Sequence, residues 1–236
     1  MKIIGLVGGI SWSSTIDYYR FINEEVNKHM EGLQFAECII YSVNFHEFQR
    51  CNAAYNWDGT FELLANAASQ LKKAGAEVLL LGANTAHIVA DRVREHTELP
   101  LIDIRVATAH AIKAKGMSKV GLLGTRYTME MDFYKKKLSD YHIEAIIPEN
   151  QADRDFIEET LLHELGKGIL VNETKAAYIS IADQLIARGA EAIVLGCTEI
   201  PLLIQQEDIP VPVFNTTAIH AQAAVNFALS IYEMEH

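Results

Sequence analysis

Cys197 is the residue best suited to reactive chemistry. It follows the apolar run Ala192-Ile193-Val194-Leu195-Gly196 and precedes the polar pair Thr198-Glu199. A thiol at a helix start meets unpaired backbone N–H groups and the positive end of the helix dipole. The spacing therefore predicts a thiolate-favouring setting, below the usual thiol value of about 8.5. A thiol so placed can carry a proton to or from carbon. Cys38, inside a strand pattern, and Cys51 read as small buried hydrophobes. Three cysteines form no disulfide framework and suit a reducing compartment, so a cytoplasmic location is expected. The nine histidines show no close metal-ligand spacing with cysteine or carboxylate.

The segment around Cys197 has a counterpart earlier in the chain. Gly75-Ala76-Glu77-Val78-Leu79-Leu80-Leu81-Gly82-Ala83-Asn84-Thr85 aligns without gaps on Gly189 to Glu199, 114 residues later. Gly5-Leu6-Val7-Gly8 matches Gly121-Leu122-Leu123-Gly124, and Asp17-Tyr18-Tyr19-Arg20 matches Asp132-Phe133-Tyr134-Lys135. Pro100-Leu101-Ile102-Asp103 matches Pro212-Val213-Phe214-Asn215. A period of this length is domain-sized, not that of a solenoid. It predicts two similar α/β halves related by a pseudo-twofold axis. Each carries a strand, a Gly-X-polar-polar turn and a helix start. Such loops at the carboxyl ends of parallel strands suit an anionic ligand, and an amino-acid carboxylate would fit between two of them.

The elements that must position these loops alternate along the chain. Strands are expected at Lys2 to Gly8, Ala36 to Ser42, Glu77 to Leu81, Pro100 to Asp103 and Lys119 to Leu123. Helices are expected at Ser14 to His29, Trp57 to Ala74, Ala86 to His96, Val106 to Lys115 and Ala218 to Glu233. Apolar runs separated by helices imply parallel sheets covered on both faces. The expected division is residues 1–105 with 214–236, and 106–213. A net charge of −11 argues against nucleic acid and acidic membrane surfaces as partners. No apolar run is long enough for a membrane span, and the N-terminus reads as a first strand, not a signal peptide. Gly5-Leu6-Val7-Gly8-Gly9 matches neither Gly-x-Gly-x-x-Gly nor a P-loop, so a nucleotide is not expected there.

Along nearly its full length the chain resembles the aspartate/glutamate racemase superfamily of cofactor-independent amino-acid racemases. The resemblance is carried by Gly8-Gly9-Ile10-Ser11-Trp12 with Thr15 and Tyr18-Tyr19, by Asn84-Thr85-Ala86-His87, and by Gly121-Leu122-Leu123-Gly124-Thr125 with Thr128-Met129 and Phe133-Tyr134. Gly196-Cys197-Thr198-Glu199-Ile200 completes it. It implies two similar α/β domains with the active site between them. It also implies no metal and no pyridoxal phosphate, and proton removal from Cα by a cysteine on each side of the substrate. Racemisation needs a base on one face of Cα and an acid on the other, and two opposed thiols supply both. Donors must also hold the carboxylate as charge develops. Asn84, Thr85, Thr125, Thr128 and Thr198 are suited to that, with Ile10, Ser11, Asn52, Lys167 and Glu199 as further substrate contacts. A small amino acid is the expected partner, and a homodimer is compatible with the resemblance.

The chain departs from this pattern at the first cysteine, where Ala83 stands, matched to Cys197 by the repeat itself. Alanine has no transferable proton. Three explanations stay open: a substitution made to inactivate the protein, a natural one-base enzyme, or an enzyme that has lost activity. Within the superfamily some racemases carry threonine at this position, and arylmalonate decarboxylases keep only the second cysteine. A single-cysteine decarboxylase or isomerase, or a non-catalytic amino-acid binding protein, are therefore the rival functions. For a side-chain carboxylate the basic candidates are Arg50, read as lying in a loop after Asn44-Phe45-His46, and Lys167. The aspartate-type lysine position, two places before the glycine, is Gly166 here. His87 is expected to orient its loop.

Overall fold

The computed structural model describes residues 1–230. It forms two compact units, Met1–Ile104 with the described residues from Thr217 on, and Arg105–Thr216. The first contains β1 (Ile4–Gly8), α1 (Trp12–His29), β2 (Cys38–Ser42), α2 (Phe45–Ala53), α3 (Trp57–Lys73), β3 (Val78–Leu81) and α4 (Ala90–Thr97). The second contains α5 (Ile104–Ala114, from Arg105 on), β4 (Lys119–Gly124), α6 (Arg126–Glu130), α7 (Asp132–Asp140) and β5 (Glu144–Ile146). It continues with α8 (Gln151–His163), α9 (Asn172–Ala187), β6 (Ala192–Gly196), α10 (Ile200–Leu203) and β7 (Val213–Asn215). Helix α11 (Thr216–Ala228) returns the chain to the first unit. The expected end of this last helix, Glu233, lies outside the described residues.

Each unit is built on a parallel sheet. The first has strand order β2-β1-β3, and the second β5-β4-β6-β7. Strands β1, β3 and β6 are buried along their whole length, as strands covered on both faces must be. In the first unit the two faces separate by the period of two. Leu79 and Leu81 join Leu64, Ala68 and Leu71 of α3 in one cluster. Val78 and Leu80 join Tyr18, Ile22 and Val26 of α1 and Ala224 and Val225 of α11 in the other. In the second unit Leu123, Ile193 and Leu195 pack on Ile157 and Leu161 of α8 and on Tyr178 and Leu185 of α9.

The repeat seen in sequence is a repeat of register. Gly5 pairs with Leu79, and Gly121 with Ile193. Leu79 N–H donates to Pro100 O at 2.8 Å, and Ile193 N–H donates to Pro212 O at 2.9 Å. Gly5 and Gly121 have the same reason to be glycine. A Cβ on Gly5 would meet Ala76 Cβ at 2.7 Å, with Leu79 and Leu71 next to it. One on Gly121 would meet Ile193 Cδ1 at 2.8 Å, with Leu185 next to it. In both units the helix thus seats directly on the central strand.

Three expected elements differ. Pro100 to Asp103 is reduced to a single parallel bridge, Leu79 to Leu101, because the chain turns at once into α5. The helix expected over Ala86 to His96 is split into a 3₁₀ turn, Thr85–Val89, and α4; Val89, at φ −112°, breaks the α geometry. Arg50 and Asn52 lie on α2, not in a loop. The Asn44 side chain accepts the His46 N–H and Glu47 occupies the first turn, so this helix has an ordinary capped start.

Candidate active site

Parallel strands bring the loops after β1, β2 and β3 to one edge of the first sheet. Gly9, at φ +78°, is confined to glycine, since a Cβ there would stand 2.4 Å from Val43 O. Its N–H donates to Thr15 Oγ1 at 2.9 Å, and the Thr15 hydroxyl donates to Ser11 O at 2.7 Å. Ser11 is the N-cap of α1; its Oγ accepts the Ser14 N–H and lies 2.8 Å from Ser13 Oγ. Ile10 is buried in the core cluster of this unit. Asn52 is buried too, and its Oδ1 accepts the Thr60 hydroxyl at 2.8 Å.

The loop after β3 is held at every step. Gly82 N–H donates to Val7 O at 2.9 Å, and a Cβ on Gly82 would stand 2.9 Å from that same oxygen. Ala83 is buried, 9% exposed, and its N–H donates to Leu81 O. His87 fixes the other end: Nδ1–H donates to Ala83 O at 2.9 Å, while Nε2 accepts Ile104 N–H at 3.2 Å. His87 therefore orients this loop as a neutral ring with one tautomer. Asn84 and Thr85 follow, both buried, at the start of the 3₁₀ turn.

Behind His87 lies a second histidine that sequence reasoning missed. His220 of α11 donates from Nε2 to Ile102 O at 2.7 Å and accepts the Tyr18 hydroxyl on Nδ1 at 2.7 Å. Its partner Ile102 is 118 residues away along the chain, so no local pattern could reveal the pair. Burial pushes His220 down from 6.5 to about 3, and the His87 ring packs edge-on against it. Between these values the unfolded chain binds a proton that the folded chain refuses. The stability tied to His220 is therefore complete above about pH 6.5 and falls on acidification by about 1.4 kcal/mol per pH unit towards pH 3. His220→Asn is expected to flatten the acid limb of stability, read as urea midpoint against pH between about 6 and 4. An unchanged slope would show that His220 is not the group responsible.

In the second unit the loops after β4 and β6 touch. A Cβ on Gly124 would stand 2.8 Å from Gly196 O, and one on Gly196 would stand 3.1 Å from Thr128 Cγ2. Thr125 caps α6: its Oγ1 accepts the Thr128 N–H and lies 3.1 Å from Thr128 Oγ1. Two threonine hydroxyls thus lie on the loop that flanks the Cys197 loop. Cys197 is partly exposed, and its Sγ–H donates to Glu199 Oε2 at 3.0 Å. The Thr198 hydroxyl donates to the same oxygen at 2.9 Å. Lys167 is exposed, on the turn Leu165–Lys167 that packs against α10. Arg50 is exposed and paired with Glu47 at 2.7 Å.

The expected lowering of the Cys197 thiol is overturned. The thiol is held well above its usual value, first by burial of the charge it would carry, then by the Glu199 carboxylate. Glu158 adds in the same direction, and the Glu199 N–H opposes weakly. The helix that was to supply a dipole is α10, only four residues long. One turn supplies little field against an adjacent carboxylate. Glu158 of α8 and Tyr178 of α9 complete these surroundings and were not found from sequence. Glu158 Oε2 accepts the Arg126 N–H at 2.7 Å, and the Tyr178 hydroxyl lies 3.1 Å from Thr160 Oγ1. Tyr178 is held above its usual value by burial. Among the described residues no group of three or more His, Cys, Asp or Glu could hold a metal ion. No helix among them is long and apolar enough to cross a membrane.

The chain has counterparts among known proteins. A crystal structure of a candidate Asp/Glu racemase from Yersinia pestis is 48% identical, covers 97% of this chain and 100% of that one, and has a TM-score of 0.89. An aspartate racemase homologue from Pyrococcus horikoshii is 37% identical, covers 97% and 100%, and has a TM-score of 0.84. The broad specificity amino-acid racemase of Bacillus subtilis is 21% identical over 235 residues, 97% of this chain and 99% of that one. The chain spans about half the length of the streptococcal glutamate racemases it matches, 47% in each case. The family described as Asp/Glu/Hydantoin racemase matches residues 7–224, which take in the loops after β1, β3, β4 and β6. The chain belongs to the Asp/Glu/Hydantoin racemase family.

Proposed function

We propose that this protein is an amino-acid racemase acting at Cα of aspartate, glutamate or another small polar amino acid, without a cofactor. Cys197 is its acid/base residue. The observation that carries this reading is the Cys197 thiol itself. It stands partly exposed at the carboxyl end of β6, hydrogen-bonded to a carboxylate and flanked by the Thr125 and Thr128 loop. A thiol that holds its proton near neutral pH is suited to deliver it to a carbanion-like centre. The hydroxyls of Thr125, Thr128 and Thr198 are suited to hold the substrate carboxylate as charge builds on it.

Ala83 favours a second reading within the family. With a thiol on one side only, proton removal and return take place on the same face of Cα, and inversion is slow or absent. One experiment separates the readings. Amino acids of both hands are incubated in D₂O, and Cα deuterium uptake and enantiomeric composition are followed together. Exchange with inversion supports racemase activity. Exchange with retention supports one-base chemistry, to be checked next with malonate-type substrates for decarboxylation. Binding with no exchange for any amino acid would leave an amino-acid binding protein and overturn the enzymatic reading.

A further inference from the structure

Helix α1 turns an apolar stripe to solvent. Trp12, Ile16 and Tyr19 are 64%, 57% and 52% exposed, while Tyr18, Ile22 and Val26 of the same helix are buried in the core. Steps of four and three residues set the exposed three on one flank. Asn23, the next residue of that row, is buried. Its Oδ1 accepts the Ala36 N–H at 3.0 Å and so fastens the segment before β2 to this flank. That segment carries Leu33 and Phe35, both exposed. Beside it runs β2, the edge strand of the first sheet. Ile40 of β2 is exposed and lies next to α1: its Cγ2 and that of Thr15 would both come within 3.3 Å of a Cβ on Gly8. Six apolar side chains of the first unit thus form one exposed patch.

We propose that this patch is the contact between two copies of the chain, related by a twofold axis that passes beside Ile16. Its size suits that role. A buried aromatic side chain covers about 150–250 Å², so at these exposures the six residues present on the order of 700 Å². A stable interface takes about 800 Å² from each partner, whereas the largest apolar patch of a monomer is about 300–600 Å². The pattern is also self-complementary. With two copies of α1 antiparallel about the axis, the Ile16 side chains meet, and Trp12 of each copy reaches Tyr19 of the other. The charges beside the stripe are engaged within α1, where Arg20 holds Asp17 at 2.9 Å and Glu24 at 3.3 Å. They call for no partner of opposite charge. The edge strand itself, Cys38-Ile39-Ile40-Tyr41-Ser42, has neither a charge nor a proline, the devices that keep free edges apart. The contact would also steady the start of α1, where Ser11 caps the helix and ends the loop after β1.

Sedimentation equilibrium tests this. The unmodified protein at about 100 µM should show twice the mass of the chain. Ile16→Glu brings two carboxylates together at the axis and should weaken the dimer at least about 30-fold. Glutamate is a better helix former than isoleucine and the position is exposed in the single chain, so the fold should persist, as the melting transition will show. Leu170→Glu makes the same change of charge at an exposed residue of the second unit and should leave the dimer intact. Fluorescence places the contact. The chain has two tryptophans, and in a Trp57→Phe background Trp12 should emit further to the blue in the dimer than in the Ile16→Glu monomer. A monomer at about 100 µM overturns the proposal and leaves the patch to a different partner. A dimer that keeps its strength in Ile16→Glu, weakens equally in Leu170→Glu, or leaves Trp12 emission at the monomer position also overturns it.

Discussion

Ala83→Cys is expected to raise the rate of amino-acid inversion by about 10²–10⁴-fold while leaving the dissociation constant little changed. The expectation comes from the repeat. Ala83 follows β3 as Cys197 follows β6, and the registers of the two sheets agree over Ile4–Val7 with Val78–Leu81 and Val120–Leu123 with Ala192–Leu195. Inversion needs a proton group for each face of Cα, and alanine supplies none. On the proposed reading, binding rests on amides and hydroxyls that the substitution leaves in place, so affinity and inversion should separate. The backbone at 83 is already fixed, by Ala83 N–H to Leu81 O and by His87 Nδ1–H to Ala83 O, so one added sulfur should not move the loop. The assay is enantiomeric composition over time with a panel of amino acids, beside binding calorimetry on both proteins. An unchanged inversion rate with normal binding and an unchanged melting transition would mean that alanine belongs there and that the protein works from the Cys197 side alone. Slower turnover with weaker binding would mean that the sulfur crowds a site built around alanine.

Much of the architecture was legible because it is written twice. Apolar runs bounded by glycine marked the buried strands β1, β3, β4 and β6, and the 114-residue repeat announced two units of one design. Glycines at 82 and 196 marked where the chain turns after a strand, whereas the helix contacts that require glycine at 5 and 121 appear only in the structure. What could not be read depends on partners far apart in the chain or on local competition. Helix α2 was hidden because Arg50-Cys51-Asn52 has no clear apolar period, although Asn44 and Glu47 were a readable start. The 3₁₀ turn at Thr85–Val89 follows from the His87 ring reaching back to Ala83 O, a contact no propensity describes. His220, Glu158 and Tyr178 are brought to their places only by the sheet. The direction of the Cys197 shift was misread for a related reason: a helix start was visible, but its length and the turn of Glu199 onto the sulfur were not.

Cys197→Ser carries the largest expected loss. Serine can still donate its hydroxyl hydrogen to Glu199 Oε2, so the loop, its capping and its hydrogen-bonding pattern have every reason to persist. What changes is acidity, because an alcohol gives up its proton far less readily than a thiol. A loss of exchange with the fold intact is then a loss of proton transfer rather than of structure. The central claim, that Cys197 moves the proton at Cα, is tested most directly by NMR of the Cα–H signal of aspartate and glutamate in D₂O, with the unmodified protein and the Cys197→Ser variant side by side. The signal should decay with the unmodified protein and at least about 10²-fold more slowly with the variant. Decay at rates within about tenfold of each other would contradict it.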